Sequence, residues 1–506
     1  MRKITRLIAS ALATAMLAAC AEGGDEGAGS TQAGLDDVTS AIMDLPVTTA
    51  SEGARTDFLR AQYLLDVGRF LRANEIYQRA VTKDPTFALA YLNVANTANS
   101  LDEFTTNLAM AEQHAAQASE EERLQIEIAR KGFANDVEGQ LAAALRLTEL
   151  QPQSPRAWLA LSGLQVAGDQ VAEGRASLAR ALELGPQLIA AHTQAGNSYM
   201  FDEPQDYAQA LQHMQHAVRL APNEPYLHDL TGDAYRALND LENARAEYTR
   251  GHELDATDAG LIQQRGHVNS FLGDYAAARA DYDSSIALSK VNQAANFAPY
   301  RALVSVHEGN PAAAITELQT LVTNIDGMDV PEPRGLKVNA LTFIADIAIH
   351  TGDVETARTT LTDRAALMME QADAAGTEQF RRAQAADTTY YAARLATAAG
   401  DFASAQTLLT EYGRLVEPDA NPRKMERAHE VMGHIALAQD KYAEAVQHYQ
   451  QANPYDTYTQ YHLALALEGA GNTEEAHNLF SEISTYNFNS QGFALIRRDA
   501  LAKAAM

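Results

Sequence analysis

The stretch GDAYRALNDLENARAEY, residues 232–248, sets the reading of the whole chain. It holds a small residue at Gly232, a turn-tolerant residue seven places on at Asn239, an alanine five further at Ala244, and an aromatic four beyond that at Tyr248. Two antiparallel helices joined by a short turn approach closely only where facing side chains are small, and an aromatic one turn past the alanine fills the space left between them. The stretch therefore predicts a helical hairpin. The same frame returns as Gly68, Ala73, Tyr77; Gly273, Ala278, Tyr282; Gly309, Ala314, Leu318; Gly352, Ala357, Leu361; Gly400, Ala405, Leu409; Asp440, Ala445, Tyr449; and Gly471, Ala476, Phe480. Seven residues before each of these turns sits another small side chain, at Ala61, Gly266, Ala302, Ala345, Ala393, Gly433 and Ala464. Prolines such as Pro85, Pro186 and Pro222 stop one hairpin before the next begins. A chain of 506 residues is too long for one hydrophobic core, and a repeated hairpin predicts a stacked array instead.

The pattern resembles the tetratricopeptide repeat, with its period of about 34 residues and its W-x2-L-G-x2-Y, then A-x3-F signature. Trp158, Leu161 and Ser162 stand where that family has tryptophan, leucine and glycine; Gly196 with Tyr199, and Gly232 with Tyr235, repeat G-x2-Y; Ala210, Ala244 and Ala278 follow each other at intervals of 34. The resemblance implies an all-α, superhelical solenoid of about eleven to twelve hairpins over residues 51–487, closed by an amphipathic capping helix within 488–506. It also implies a concave groove lined by the first helix of each hairpin, here at Asn197, Tyr226, Asp229, Asp233, Arg236, Gln263, His267 and Phe271. Some members grip a partner's terminal carboxylate with lysine and asparagine, but the matching places here carry Asp229, Asp233, Gln263 and His267. Such a lining suits a basic or neutral segment. Three regions depart from the pattern. Residues 96–140 read as a repeat with an irregular second helix followed by a degenerate one; 324–335, with two prolines and two glycines, read as a loop; the excess at 364–385 reads as lengthened helices.

The N-terminus carries a separate message. Arg2, Lys3 and Arg6 precede an apolar run from Leu7 to Leu17, the length of a secretory h-region and too short to span a bilayer. It ends Leu17-Ala18-Ala19-Cys20, with the chain's one cysteine, and resembles the lipobox of bacterial lipoproteins. That resemblance implies removal of residues 1–19 and acylation of Cys20, which would tie the protein to the lipid bilayer; Ala21 after it favours the outer membrane. Residues 20–50 are glycine, small polar residues and acid, and read as a flexible tether reaching roughly 30 Å as a random coil.

Charge and missing motifs narrow the function. A formal charge of −27 repels phosphate backbones, so nucleic acid is not an expected partner. One cysteine leaves no internal disulfide and no thiolate-rich metal site. The chain has no GK[ST] loop, G-x-S-x-G elbow, S-x-x-K or D-x-[DN]-x-[DN]-G loop. HEVMGH at 429–434 looks like a zinc helix, but His429 and His434 are five apart, about 140° around a helix. His213 and His216 share a helix face with nothing nearby to complete a metal shell. No enzyme, no cofactor and no metal is expected. The resemblances together imply a lipid-anchored interaction scaffold for other proteins of the cell envelope, with the folded body in the periplasm. The alternative is a glycan- or peptidoglycan-binding accessory lipoprotein, with groove tyrosines and acids facing sugar.

Overall fold

The computed structural model describes residues 45–289, 291–328 and 333–506. The export signal at 1–19, Cys20 and residues 21–44 of the tether lie outside the described residues, as do 329–332 within the loop expected at 324–335. Among the described residues there are twenty-five α-helices, two short 3-10 turns and no strand. The helices pair as hairpins in two compact units, one ending at Leu261 and the other running from Ile262 to Met506. In the first unit α1 (Glu52–Asp66) pairs with α2 (Phe70–Lys83), α3 (Ala88–Asn96) with α4 (Leu101–His114), α5 (Glu120–Phe133) with α6 (Val137–Leu150), α7 (Pro155–Ala167) with α8 (Val171–Leu184), α9 (Ile189–Phe201) with α10 (Tyr207–Leu220), and α11 (Pro225–Ala237) with α12 (Leu241–Leu254). In the second, α13 (Ala259–Leu272) starts at the boundary and is followed by α14 (Tyr275–Leu288). Next come α15 (Val291–Glu308) with α16 (Pro311–Asn324), α17 (Pro333–Thr351) with α18 (Val354–Ala375), and α19 (Glu378–Ala398) with α20 (Phe402–Val416). The series ends with α21 (Glu426–Ala438) and α22 (Tyr442–Tyr449), α23 (Thr457–Gly469) and α24 (Thr473–Thr485), and a single last helix, α25 (Gln491–Ala504).

The repeated frame does what its chemistry requires. Gly68, Gly273, Gly309, Gly352, Gly400 and Gly471 all take positive φ between the two helices of a hairpin, and Asn239 and Asp440 do the same at 60° and 57°. Asn and Asp tolerate this left-handed turn better than other side chains. The anchor alanines 73, 244, 278, 314, 357, 405 and 445 are fully buried. At Gly232 an added Cβ would lie 2.6 Å from the Tyr248 ring, so the small residue and the aromatic are a matched pair. Second helices begin with aspartate: Asp136, Asp206, Asp240, Asp274, Asp353 and Asp401 each accept a hydrogen bond from the backbone N–H three residues on. Part of the acidic surplus is thus spent on helix caps, where negative charge meets the positive end of the dipole.

Three expectations change or sharpen. Residues 96–140 are regular: α4 is an intact helix of 14 residues continued by a 3-10 turn at Ala115–Gln117, and α5 opens with a capping box between Ser119 and Glu122. The α5–α6 hairpin escaped the frame because Asn135 makes its left-handed turn while Gln140 stands where the alanine was sought, and the α7–α8 hairpin departs in the same way, with Asp169 in the turn and Gly174 in place of the alanine. The excess at 364–385 is indeed helix, with α18 and α19 running 22 and 21 residues. The end of the tether, by contrast, is pinned to the array. The Thr48 N–H donates to Glu122 at 2.7 Å, Arg55 donates to the Val47 carbonyl at 2.7 Å, and Leu45 and Val47 pack onto apolar clusters.

Candidate partner-binding faces

In each unit first helices of successive hairpins contact one another: α9 touches both α7 and α11 in the first, and α15, α17, α19, α21 and α23 each touch the next in the second. They form the lining that the family resemblance assigns to partners. Asn197, Tyr226, Asp229, Asp233 and Arg236 belong to the first unit, and Gln263, His267 and Phe271 to the second.

The chain itself covers part of the first lining. The turn after α1 lies against α7, α9 and α11. Asp66 takes a two-pronged ion pair from Arg156, at 3.1 and 2.5 Å, with Asp66 buried and the Arg156 side chain only 10% exposed. Val67 joins Ile189 and Leu227 in an apolar cluster edged by Tyr63 and Tyr226. Gly68, at φ +85°, sits so close to Tyr226 that an added Cβ would be 2.1 Å from the ring, and Arg69 pairs with Glu224 at 2.6 Å. Tyr226 also meets the Phe70 ring edge-on at 6.0 Å, and burial pushes its hydroxyl up to about 12.

Beside Tyr226 lies a set of crowded carboxyls only partly open to water. Asp233 accepts from the Tyr248 hydroxyl at 2.7 Å and from Arg236 at 2.6 Å, so the buried Arg236 is engaged within the fold. Asp229 has one carboxyl oxygen buried without a hydrogen bond. Burial first, then the nearby Asp233 and Asp258, raise it well above the usual carboxylate range. Asp258 accepts from the Gly260 N–H at 2.8 Å, yet burial still pushes it up to about 6. Crowded, desolvated carboxyls favour the proton. This lining is less negative than a residue count implies.

The second unit's lining is covered by α25. His267 is buried, with its Nδ1 2.5 Å from the Tyr282 hydroxyl and 2.9 Å from the Asn489 side-chain nitrogen. Phe271 is buried edge-on to Phe493 at 5.8 Å, and its carbonyl accepts from Arg497 at 3.0 Å. Asn197, Asp229, Asp233 and Gln263 remain partly exposed.

Sequence reasoning missed a polar core in the second unit. Arg394 pairs with Asp346; the Tyr390 hydroxyl donates to Glu430 at 2.9 Å; Arg364 and Arg427 flank Asp387 at 2.7 and 2.9 Å. Arg427 lies 4.1 Å over the Tyr390 ring and Arg364 4.4 Å over Tyr391. His434 reaches the Tyr449 hydroxyl at 2.8 Å, and burial holds His462 well below the ordinary histidine value. A signal was available. Asn197, Asp233 and His267 each follow the small packing residue of a first helix directly, and the same place further along holds Asp346, Arg394 and His434. The charges there pair with one another. Among the described residues no group of three or more His, Cys, Asp and Glu could hold a metal ion, and no helix is long and apolar enough to cross a membrane.

Residues 436–498 match the tetratricopeptide-repeat family model. Yeast Tom70 is similar in structure over 84% of this chain and 90% of its own, at 14% identity and a TM-score of 0.41. YrrB, described as a TPR protein with an unusual peptide-binding site, is similar over 36% of this chain and 91% of its own, at 19% identity and a TM-score of 0.30. PilW, described as a type IV pilus biogenesis factor, is similar over 43% and 99%, at 12% identity and a TM-score of 0.35. No curated protein sequence matches the chain. Tetratricopeptide-repeat sequence at 436–498 thus lies within a longer all-α array of helical hairpins.

Proposed function

We propose that this protein is a lipid-anchored interaction scaffold of the bacterial cell envelope, held at the outer membrane through Cys20 with its folded body in the periplasm. It binds segments of other envelope proteins on the faces lined by first helices and performs no chemistry of its own. The observation that carries this reading is α25: the second unit's first-helix lining already holds a helix through specific side-chain contacts at His267, Phe271 and the Thr342 carbonyl. The match at 436–498 and the lipobox-like Cys20 support it from the sequence side. Asn197, Asp229, Asp233 and Gln263, still partly exposed, are the residues set to meet a partner. A glycan reading loses its aromatic platform at Tyr226, which Gly68 and Phe70 cover.

The test is photo-crosslinking in cells from Asn197 and Gln263 of the anchored protein, with membrane fractionation of a Cys20→Ala variant alongside. Recovery of a defined envelope protein, with loss of membrane retention and of acyl labelling in the variant, is expected. Capture of nothing specific by an acylated, folded protein would end the scaffold reading. Membrane retention of Cys20→Ala would end the anchor.

A further inference from the structure

α25 packs on α24 as the next helix of a stack does, and it also lies across α15, α17 and α23. Asn489, just before the helix, bridges two first helices: its side chain donates to His267 at 2.9 Å, and its oxygen stands 3.2 Å from His307 Nε2. Phe493, fully buried, meets Phe271 one turn into the helix. Arg497, one turn further, is seated badly. It donates to the Phe271 carbonyl and stacks over that ring at 5.0 Å, but its Nε is buried without a hydrogen-bond partner, and no carboxylate among the described residues pairs with it. The buried Nδ1 of His307 is likewise without a partner. A buried donor left without a partner costs more than a neutral side chain of similar shape in the same place.

From this geometry we infer that the second unit's first-helix face is a docking surface for a partner helix, and that α25 is its built-in, imperfect occupant. The partner presents an amide just before its helix, an aromatic one turn in, and a neutral residue where α25 has Arg497. Such a helix keeps both good contacts and omits the guanidinium whose Nε has no partner and which no carboxylate among the described residues faces, so it displaces α25. This inference rests on the scaffold reading, and names the partner's chemistry at that face.

The experiment uses the full chain and two fluorescent synthetic peptides, residues 486–506 with native sequence and with Arg497→Leu. Anisotropy reads binding, and hydrogen exchange reads the amides of α25 and α24. The Arg497→Leu peptide is expected to bind about tenfold more tightly than the native one, a difference of about 1.4 kcal/mol. Amides of α25 should lose protection in its presence while those of α24 keep theirs. An Arg497→Leu substitution in the protein should reverse the effect, slowing exchange in α25 and weakening both peptides. Equal affinity of the two peptides overturns the role of Arg497; no binding, with α25 exchanging only on global unfolding, overturns the docking surface. Neither result depends on capture from cells, so failure here and failure of the scaffold reading are told apart.

Discussion

The two units cover their own linings from opposite ends of the chain and by different chemistry. The first uses a turn near its beginning, where each charge has a partner: Asp66 with Arg156, Arg69 with Glu224, and Val67 in an apolar cluster between them. The second uses a helix at its end, where an amide and an aromatic fit well but Arg497 finds only a carbonyl and a ring. A closure with matched charges holds as part of the fold, whereas on the inference above a closure whose cation faces no carboxylate is the one open to exchange. The sharpest way to break this contrast is Arg156→Ala. It leaves Asp66 buried and unpaired, and truncating one side of a buried pair costs about 3–5 kcal/mol. Urea unfolding should show that loss in the first unit, and a cost below about 1 kcal/mol would mean the pair contributes no closure at all.

Phe493→Ala should come next, at about 3 kcal/mol for removing a fully buried ring. If α25 is exchangeable, the loss should be confined to it: its amides exchange faster, those of α24 hardly change, and the native peptide 486–506 binds more tightly. A uniform drop across the unit would instead make α25 a structural cap like any other. Gly68→Ala in the first unit should cost about 2 kcal/mol or more, because alanine must enter a left-handed conformation and push the Tyr226 ring aside. Proteolysis at the α1–α2 turn would report that loosening directly.

Acid should separate the two closures. Burial holds His307 down at about 4, against an ordinary value near 6.5, and holds His350 down as well. A histidine depressed in the folded state contributes stability that is complete above its unfolded value and is lost as pH falls toward its folded one. Between pH 7 and 5.5, opening of α25 should rise about tenfold once intrinsic exchange is corrected for. Glu224, in the first closure, moves the other way, since burial raises its carboxyl. Acidification toward its unfolded value favours the folded form there, and the first closure should hold over the same range. Loss of protection in both closures together would show that acid acts on the array as a whole.

The contrast also marks what a sequence can and cannot tell. The hairpins were legible because the Gly232 to Tyr248 frame is local and is set by steric fit between neighbouring helices. Where the frame failed, at Asn135 and Asp169, the turn geometry survived in residues that also tolerate positive φ, and only the alanine anchor had changed. The lining residues were legible as register positions. Their covering was not, because contacts such as Asp66 with Arg156 or His267 with Asn489 join residues 90 and 222 places apart. They depend on how the stacked hairpins curve, which no short-range pattern encodes.

The smallest effect concerns charge itself. Counted from the sequence, Asp229 is one of many negative groups suited to a basic partner. In the structure burial and the neighbouring Asp233 and Asp258 raise its carboxyl well above the usual carboxylate range, toward the neutral form, and one of its oxygens has no hydrogen bond to lose. Asp229→Asn reproduces that neutral shape. At pH 7 it should change stability by no more than about 0.5 kcal/mol, within the usual range for a substitution that removes no contact. An ionised Asp229 would behave differently, since replacing it would relieve repulsion with Asp233 and stabilise the first unit at pH 7 by an amount that fades as pH falls toward 4.5. Urea midpoints at the two pH values distinguish these cases. A flat result would make the lining a polar surface with a neutral centre and charge only at its edges, better matched to an uncharged segment than to a strongly basic one.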